Sequence, residues 1–538
     1  MGVYLNPGNK AYAEAINTDI FVDKTCMIEY LNSIVNTKQK YVSVSRPRRF
    51  GKTLAADMIC AYYEREADGR SLFEKRKIAR CDKWDAYLGK FDVIRVVMTD
   101  FIKKNRDVET SLERMSERVL EELDEMYPGV KYDPSDLFYS MNKFYQKTKT
   151  AFVIVIDEWD AVFRVRREDK EGQTFYLDFL RDWLKDREYV ALAYMTGILP
   201  IKKYGRHSAL NMFFEYSMIS PMQLASYTGF TEEEVSELCR EYGRDYDKMK
   251  EWYDGYDVSD IIPPDPDHVL QKKTGKPLKA KRYSLYSPLS VVNAVTTGHI
   301  KNYWNETETY EALEEYIIMN QGGLKDAVVL MMDGARVRVD ISGYQNDMTT
   351  FHSRDDVLTL LIHLGYLGYD DETKEVFIPN KEILDEFRTS TKSDDWTDVF
   401  ECLKKSHELL AATWSMDEKK VAELLEAAHD KVDNKKYSDE AALSYTVQYA
   451  YYAAQKYYTT IRELDTGKGY ADLAYLPSPK YSDKPALLIE LKYGKSAEEA
   501  INQIKRRNYL DKFEHYRGNT LIIGVNYDRE VSSKSPEF

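Results

Sequence analysis

One continuous run of apolar residues constrains the fold of this chain more than any other feature. Residues 151–160 read AFVIVIDEWD, six apolar residues followed by Asp157 and Glu158. A strand that is apolar at every position has no face for water, so it is expected to be buried on both faces of a parallel sheet. Strand-like and helical patterns alternate along residues 41–245. They predict an α/β fold in which helices cover both faces of that sheet.

A second segment has the pattern of a phosphate loop. Residues 41–54 read YVSVSRPRRFGKTL, an alternating stretch and a loop, after which Gly51, Lys52 and Thr53 open a helical pattern. Amides at such a helix start bind phosphate, the lysine reaches the β and γ oxygens, and the threonine hydroxyl binds Mg²⁺. Arg46 replaces the first glycine of the common Walker A pattern. The alternative is an ordinary helix N-terminus, because Gly-Lys-Thr alone is a weak pattern.

Two further segments would complete a nucleotide site. Asp157 is placed to hold the Mg²⁺ shell, and Glu158 to polarise the hydrolytic water. The apolar segment YVALAYMTGILPI at 189–201 contains Thr196 where a polar residue would lie beside the γ-phosphate. The alternative is a buried strand whose first exposed residues happen to be acidic. The three segments in this order favour an ATP and Mg²⁺ site, to which Arg49 adds a cation beside the loop.

The C-terminal part of the chain suggests another phosphate chemistry. Asp472 lies in GYADLAYLP, and Glu490 and Lys492 lie two apart in ALLIELKYGK. Residues two apart on a strand share a face, and pairing of the two strands would bring Asp472 to them. Carboxylates bind Mg²⁺ through oxygen, while a lysine orients or activates the attacking water. The alternative is a hairpin with one surface ion pair, because Glu-x-Lys is common by chance.

The residues around Asp472, Glu490 and Lys492 strengthen the interpretation of a metal-dependent hydrolytic site. Ser496 and Glu499 form a capping box that predicts a helix, and Gln503 lies on it. The apolar strand LIIGV follows at 521–525. Upstream, Glu463 precedes TGKGYADL in the spacing Glu-x-x-x-Gly-x-Gly-x-x-Asp. The predicted order is therefore strand, strand, helix, strand, with a glutamine on the helix.

This arrangement resembles the PD-(D/E)XK nuclease superfamily. The resemblance implies a Mg²⁺-dependent hydrolase of nucleic-acid phosphodiesters. In it Asp472 and Glu490 would bind the metal, Lys492 would be catalytic, and Glu463 and Gln503 would support them. All five are candidate catalytic residues, and Glu158 is the corresponding candidate in the nucleotide site.

The chain departs from that family pattern at two places. Tyr470 stands where relatives often have arginine, and Tyr445 or Gln448 stands where a helical acid is expected before the core. The second departure leaves open whether a further metal-binding carboxylate exists.

The N-terminal motifs resemble the AAA-ATPase-like family of bacterial proteins. Members commonly carry a C-terminal PD-(D/E)XK domain, and their phosphate loop typically reads S-R-P-R-R-F-G-K-[ST], so Arg46 is normal among them. The resemblance implies ATP binding. The matching segments are FVDKT at 21–25, SRPRRFGKTL at 45–54, IDEWD at 156–160, TGILP at 196–200, WYDGY at 252–256 and LYSPLSVVNAV at 285–295.

Composition predicts a cytoplasmic protein that neither spans nor enters a membrane. No apolar stretch approaches the roughly 18–20 residues that cross a bilayer, and MGVYLNPGNK has no signal-peptide pattern. Five scattered cysteines favour reduced thiols over disulfides or a zinc site. The net charge of −14 is unusual for a nucleic-acid protein, although residues 272–282 and 505–507 are basic. Nucleic-acid binding therefore rests on the nuclease motif.

The sequence as a whole predicts three regions in one chain. They are a P-loop ATPase-like region at 1–300, a mostly helical region at 301–440 and an α/β PD-(D/E)XK region at 441–538. The expected partners are ATP and nucleic acid, with DNA favoured, and an oligomer is compatible with the sequence. One alternative is a nucleotide-dependent switch or nucleic-acid-binding module with little nuclease activity. A weaker one is an interaction protein that keeps both folds and neither chemistry.

Overall fold

The computed structural model describes most of the chain as two compact units. It describes residues 2–527 except 105, 202–209, 261–280, 307–309, 320, 346–347, 394–395, 432–439, 466–469, 494–495 and 507–518. Unit 1 comprises Met1–Tyr316 and Arg338–Glu386, and unit 2 comprises Ile317–Val337 and Phe387–Phe538. The stretch 301–440, predicted as a helical middle region, is therefore shared between the two units. The proline-rich loop at 261–277 lies outside the described residues.

Unit 1 is built on a five-stranded parallel sheet in the order β2-β3-β4-β1-β5. Every residue of β3 and β4 is buried, as the continuous apolar runs predicted. Because β4 lies between β1 and β3, their carboxyl ends meet at one edge of the sheet. The strands are β1 (Tyr41–Ser45), β2 (Asp92–Val97), β3 (Phe152–Asp157), β4 (Val190–Gly197) and β5 (Phe214–Tyr216).

The rest of unit 1 carries a small antiparallel sheet and a helical core of its own. The sheet has the order β6-β8-β7, and a second core is formed around Val235, Met249 and Val291. Thr231 and Glu234 form a complete capping box at the start of the helix Glu232–Glu241. The strands are β6 (Phe230–Thr231), β7 (Tyr256–Asp260), β8 (Lys281–Tyr286), and the hairpin of β10 (Gly368–Asp370) and β11 (Glu375–Phe377). The two-residue strand β9 (Val337–Arg338) lies where the range of unit 2 ends and that of unit 1 resumes.

Unit 2 contains a four-stranded mixed sheet in the order β12-β13-β14-β15. The first three strands are antiparallel neighbours, whereas β14 and β15 are parallel and joined through the helix Ala497–Arg506. The predicted order of strand, strand, helix and strand is thus present, and with the parallel sheet of unit 1 it confirms the α/β fold class. The strands are β12 (Tyr458–Asp465), β13 (Tyr470–Pro477), β14 (Ala486–Tyr493) and β15 (Thr520–Tyr527).

The helices follow ordinary capping and burial rules. Helix Val108–Met126, for example, begins after Asp107, whose side chain accepts the Thr110 N–H, and it buries Leu112, Val119 and Leu123. None of the helices in the described ranges is long and apolar enough to cross a membrane. The helices are Lys10–Ile16, Met27–Ile34, Lys52–Tyr63, Arg70–Phe73, Met98–Phe101, Val108–Met126, Leu137–Thr148, Ala161–Val165, Lys170–Leu184, Glu232–Glu241, Tyr246–Tyr253, Pro288–Thr297, Tyr310–Ile317, Leu324–Met332, Arg354–Leu364, Lys381–Ser390, Thr397–Trp414, Glu418–Lys431, Glu440–Ala450 and Ala497–Arg506.

The buried carboxylate of Glu382 in unit 1 makes the stability of the protein depend on pH. Glu382 accepts the N–H groups of Tyr303 and Trp304 at 2.8 and 3.1 Å and the Ser290 hydroxyl at 2.9 Å. Burial, with a smaller contribution from nearby Glu386, raises the pKa of Glu382 to about 7, although those hydrogen bonds oppose the rise.

We expect the free energy of unfolding to fall as the pH rises from about 4.5 to about 7. In that window the folded protein keeps the Glu382 proton that the unfolded chain has lost, so the contribution is complete below the window and lost above it. The loss should approach about 3 kcal/mol at most. Denaturant unfolding at several pH values would measure it. Glu382→Gln should flatten the dependence in this window, and an unchanged slope would contradict the assignment.

Candidate functional sites

The phosphate loop lies between β1 and the helix Lys52–Tyr63. Gly51, immediately before the helix, has φ +82°, a left-handed conformation that favours glycine. Arg49, with φ +66°, is left-handed as well. The helix therefore starts with its unpaired amides beside the loop, as an anion site requires.

Lys52 is held inside this loop. Its Nζ donates to the carbonyl oxygens of Arg46 and Pro47 at 3.0 and 2.7 Å. Burial lowers the pKa of Lys52 to about 8, although Asp160 and Asp157 oppose the shift. The ammonium thus already lies where it could exchange loop carbonyls for phosphate oxygens.

Thr53 and Asp157 meet at the edge of the sheet. The Thr53 hydroxyl donates to the Asp157 carboxylate, which is buried at the end of β3. Burial raises the pKa of Asp157, and the bond from Thr53 and the nearby Arg95 limit the rise. A hydroxyl and a carboxylate beside a phosphate loop are oxygen donors that fit Mg²⁺. These are the two residues that the sequence predicted to hold the metal.

Glu158 lies next to Asp157 but is held by a different partner. Its backbone has φ +51°, and its Oε2 lies 3.1 Å from Nη2 of Arg164. Burial raises the pKa of Glu158, but the charge and hydrogen bond of Arg164, together with Thr99 and Lys52, outweigh it, and the net pKa lies below the ordinary value. The carboxylate is therefore ionised at neutral pH, as polarising a water requires.

Asp160 joins two of the predicted motifs, a role that the sequence did not reveal. Its Oδ2 accepts the N–H groups of Ile198 and Leu199 at 3.0 and 2.9 Å, and lies 3.2 Å from Nε of Arg164. It therefore ties TGILP to the loop after β3. The sequence does show a third acid in this segment, two residues beyond Glu158. Its partners, however, could be identified only from the folded chain.

Thr196 lies near the carboxyl end of β4. It pairs in register with Val44 of β1 and Asp157 of β3. Its hydroxyl is buried and has no hydrogen-bond partner within the described part of the chain. It is thus a polar group beside the acid at the edge where the phosphates would lie.

The phosphate loop opens into a cavity of about 700 Å³ within unit 1. Gly51, Lys52 and Thr53 line it on one side with Asp157 and Glu158. Arg49 also lines the cavity. All the residues predicted to bind the nucleotide except Thr196 therefore face one space, whose size suits a small-molecule ligand.

In unit 2, β13 and β14 bring the second predicted cluster together. Their antiparallel pairing matches Leu473 with Ile489, so one further step along the register places Asp472 opposite Glu490. Residues opposite each other on antiparallel strands share a face. Asp472 Oδ2 accepts the backbone N–H of Leu491 at 2.7 Å.

Glu490 is the centre of this cluster. It is 1% exposed, and its Oε1 accepts bonds from Lys492 Nζ, at 3.0 Å, and from Gln503 Nε2. Lys492 also donates to the Leu491 carbonyl at 3.0 Å. The lysine and the helical glutamine thus both reach the carboxylate with which the sequence associated them.

For Glu463 the structure describes the position of the backbone only. It lies in β12 between Arg462 and Leu464, which pair with Leu473 and Ala471, so the register puts it opposite Asp472. Its side chain lies outside the described residues, as do the side chains at 505–507.

The oxygen donors of this cluster are those that Mg²⁺ prefers. Asp472 and Glu490 supply carboxylates, and Leu491 supplies a carbonyl. No group of three or more histidine, cysteine, aspartate or glutamate side chains suited to a metal occurs where side chains are described. A metal held here by protein atoms would therefore need these two carboxylates and the backbone oxygen, with Glu463 as the nearest further acid by register.

Comparison with known proteins identifies two regions. Residues 8–205 match the model of a predicted AAA-ATPase, and residues 438–534 match the PD-(D/E)XK nuclease superfamily. An uncharacterized protein from the vnfD 5′ region of Azotobacter chroococcum mcd 1 is 23% identical over 281 residues, 49% of this chain and 47% of the relative. The match thus spans about half the length of that curated relative.

Solved structures with some similarity include two archaeal proteins. Cdc6p from Pyrobaculum aerophilum is 9% identical and covers 70% of this chain and 93% of its own, with a TM-score of 0.23. The ORC1 protein of Aeropyrum pernix, solved in complex with DNA, is 10% identical and covers 74% of this chain and 100% of its own, with a TM-score of 0.25. At such TM-scores neither bears on the function of this chain. The resemblance predicted from the motifs is confirmed by the two matched regions: the chain carries a predicted AAA-ATPase region followed by a PD-(D/E)XK nuclease superfamily region.

Proposed function

We propose that the protein binds ATP with Mg²⁺ in unit 1 and hydrolyses nucleic-acid phosphodiester bonds in unit 2, with DNA as the favoured substrate. The observation that carries the proposal is the convergence of Asp472, Glu490, Lys492 and Gln503, which come from two strands and a helix, on one cluster at the C-terminal sheet. The phosphate loop with its paired Thr53 and Asp157 supports the nucleotide half.

In the nucleotide site each side chain has a separate task. The helix amides and Lys52 bind the phosphates, and Arg49 adds a cation at the cavity wall. Thr53 and Asp157 would hold Mg²⁺, which supplies charge neutralisation at the β and γ oxygens. Glu158, kept ionised by Arg164, orients the attacking water. The Thr196 hydroxyl donates toward the γ-phosphate.

In the nuclease site the cluster holds and polarises the reacting groups. Asp472, Glu490 and the Leu491 carbonyl would hold Mg²⁺, which supplies a Lewis acid for the phosphate. Lys492 holds the attacking water or stabilises the charge on the phosphate, and Gln503 orients Glu490. The water oxygen forms a bond to phosphorus and gives up a proton, one ester P–O bond breaks, and the leaving oxygen takes up a proton. Glu463 adds a ligand or anchors the strand beside Asp472.

A second candidate function is favoured by one feature of the same cluster. Lys492 donates to Glu490 Oε1 and to the Leu491 carbonyl, two oxygens that a metal would use. If this closed arrangement persists, unit 2 binds nucleic acid with little cleavage. Calorimetric titration with Mg²⁺ distinguishes the two functions. Mg²⁺ binding that is weakened in Asp472→Asn supports the nuclease, whereas no Mg²⁺ binding supports the binding module.

The proposed activity is tested directly by incubating the purified chain with duplex and single-stranded DNA and RNA. Cleavage should require Mg²⁺, and chelation should stop it. Products from none of these substrates at any Mg²⁺ concentration would remove the nuclease function and leave the binding module.

We also propose that nucleotide state gates cleavage. Two phosphate sites on one chain are coupled only if ATP and ADP bind its conformations with different affinity. Cleavage rates with ATP, with ADP and without nucleotide should then differ by about fivefold or more. Three equal rates would rule gating out. Lys52→Ala is the control, because its response should need about ten- to a hundredfold more nucleotide than that of the wild type.

A further inference from the structure

Asp57 lines the phosphate cavity of unit 1, although it belongs to neither of the motifs that predicted the nucleotide site. It lies on the helix Lys52–Tyr63, four residues after Thr53. Residues four apart on a helix are neighbours on one face, so Asp57 continues the face that carries the Thr53 hydroxyl. Asp157 lines the same cavity from the end of β3. An acid without an assigned task therefore lies beside the proposed magnesium site.

The two oxygens of the Asp57 carboxylate have different surroundings. Oδ1 is buried against Arg95, with which it forms an ion pair. Oδ2 has no hydrogen-bond partner in the part of the chain that the structure describes, and unlike Oδ1 it keeps accessible surface. The side chain as a whole is 13% exposed and lines the cavity. Oδ2 is therefore the oxygen that a bound ligand can reach.

Arg95, on β2, holds Asp57 and Asp157 together. Its Nη1 pairs with Oδ1 of Asp57, and its Nη2 lies 3.9 Å from Oδ2 of Asp157. Burial raises the pKa of Asp57, Arg95 opposes the rise, and the charge of Asp157 adds to it. The two carboxylates are thus near enough to repel each other. One guanidinium can neutralise only one of them, and the charge that remains attracts a metal ion.

The chemistry of Mg²⁺ decides how Asp57 can take part. Mg²⁺ demands near-octahedral oxygen coordination and usually keeps several water molecules. Those waters donate hydrogen bonds, and a carboxylate accepts them more strongly than a neutral group does. Because Oδ1 of Asp57 is held by Arg95, Oδ2 suits a metal-bound water better than the carboxylate as a whole suits a bidentate bond to the ion.

We infer that Asp57 is a further acid of the magnesium site, which accepts a hydrogen bond from the water shell of the ion and makes the site select Mg·ATP over metal-free ATP. The inference rests on the nucleotide-binding function proposed above. The waters of the metal are attracted to the carboxylate, whereas the bare phosphates of metal-free ATP are repelled by it. Arg95 is a positioning residue, because it holds the carboxylate without lining the cavity itself.

Asp57→Asn tests the inference, because it removes the charge and keeps the shape of the side chain. The asparagine oxygen can still accept from Arg95, so the fold should survive, which a melting curve verifies. Calorimetric titration of the full chain with ATP and Mg²⁺ should give about five- to tenfold weaker binding in the variant, the difference between a charged and a neutral acceptor. The same titration with EDTA in place of Mg²⁺ should show no weakening, since metal-free ATP brings no metal-bound water to Asp57.

Asp92→Asn is the matched control. Asp92 is likewise an acid paired with an arginine, Arg65 at 2.8 Å, and it lies on β2 with Arg95, but it does not line the cavity. Its loss should leave both titrations unchanged. Equal Mg·ATP affinity in Asp57→Asn and the wild type would overturn the inference, as would equal weakening with Mg²⁺ and with EDTA, which marks a purely structural role. A wild-type chain that binds no ATP in either titration would instead contradict the proposed nucleotide site itself.

Discussion

Asp472→Asn is expected to reduce Mg²⁺-dependent cleavage at least about a hundredfold. A group that holds the metal at the phosphate supplies several kcal/mol of barrier reduction, and each 1.36 kcal/mol is a factor of ten. The asparagine can still accept the Leu491 N–H that Asp472 accepts now, so the sheet should survive. The measurement is the cleavage rate on the best substrate at saturating Mg²⁺, with a melting curve to verify folding.

Lys492→Ala should have a similar effect on the rate. It also leaves the buried Glu490 without its cation, so we expect a lower melting temperature in this variant than in Asp472→Asn. The matched control is Asp483→Asn, which removes an exposed carboxylate between β13 and β14. Its cleavage rate should equal that of the wild type. Full activity in both cluster variants would place the reaction elsewhere.

Lys52→Ala is expected to weaken ATP binding by about ten- to a hundredfold, the usual contribution of a charge-assisted hydrogen bond. Calorimetry with Mg²⁺ and ATP measures it. Lys40→Ala is a close control, because Lys40 Nζ also donates to two backbone carbonyls, those of Arg187 and Val190, but outside the cavity. Unchanged ATP affinity in Lys52→Ala would end the assignment.

The affinity of the wild type for ATP should also depend on pH. The pKa of Lys52 is lowered to about 8 in the free protein, and a phosphate favours the charged form. ATP affinity should therefore decline as the pH rises through about 8. In Lys52→Ala that decline should vanish, which separates a titrating lysine from a general effect of pH on the fold.

Much of this molecule could be predicted because its signals are local in sequence. Gly51, Lys52 and Thr53 are consecutive, and Asp157 ends a strand whose burial is evident from its composition. Glu490 and Lys492 share a face by strand periodicity alone. Patterns of this kind depend only on neighbouring residues, so they can be recognised without knowledge of the tertiary structure.

The rest depends on contacts between distant segments. Arg164 contacts Glu158 and Asp160, and Asp160 accepts the amides of two residues that follow it by 38 and 39 positions. Glu382 acquires its raised pKa only when three separate segments enclose it. The boundaries of the two units could not be predicted from the sequence either. Arg338–Glu386 belongs to the first unit, although the stretch before it, Ile317–Val337, belongs to the second.

Arg46 links the phosphate loop to the edge of the sheet. It is completely buried, and its Nη1 donates to the carbonyls of Ser45 and Tyr216, the second of which belongs to the three-residue strand β5. A glycine at this position, as in the common Walker A pattern, would remove both bonds and leave a void in their place. Position 46 therefore cannot be altered for the phosphate loop alone, because the same side chain holds the edge strand. A change that restored the common loop pattern here would also have to supply the edge strand with a new partner.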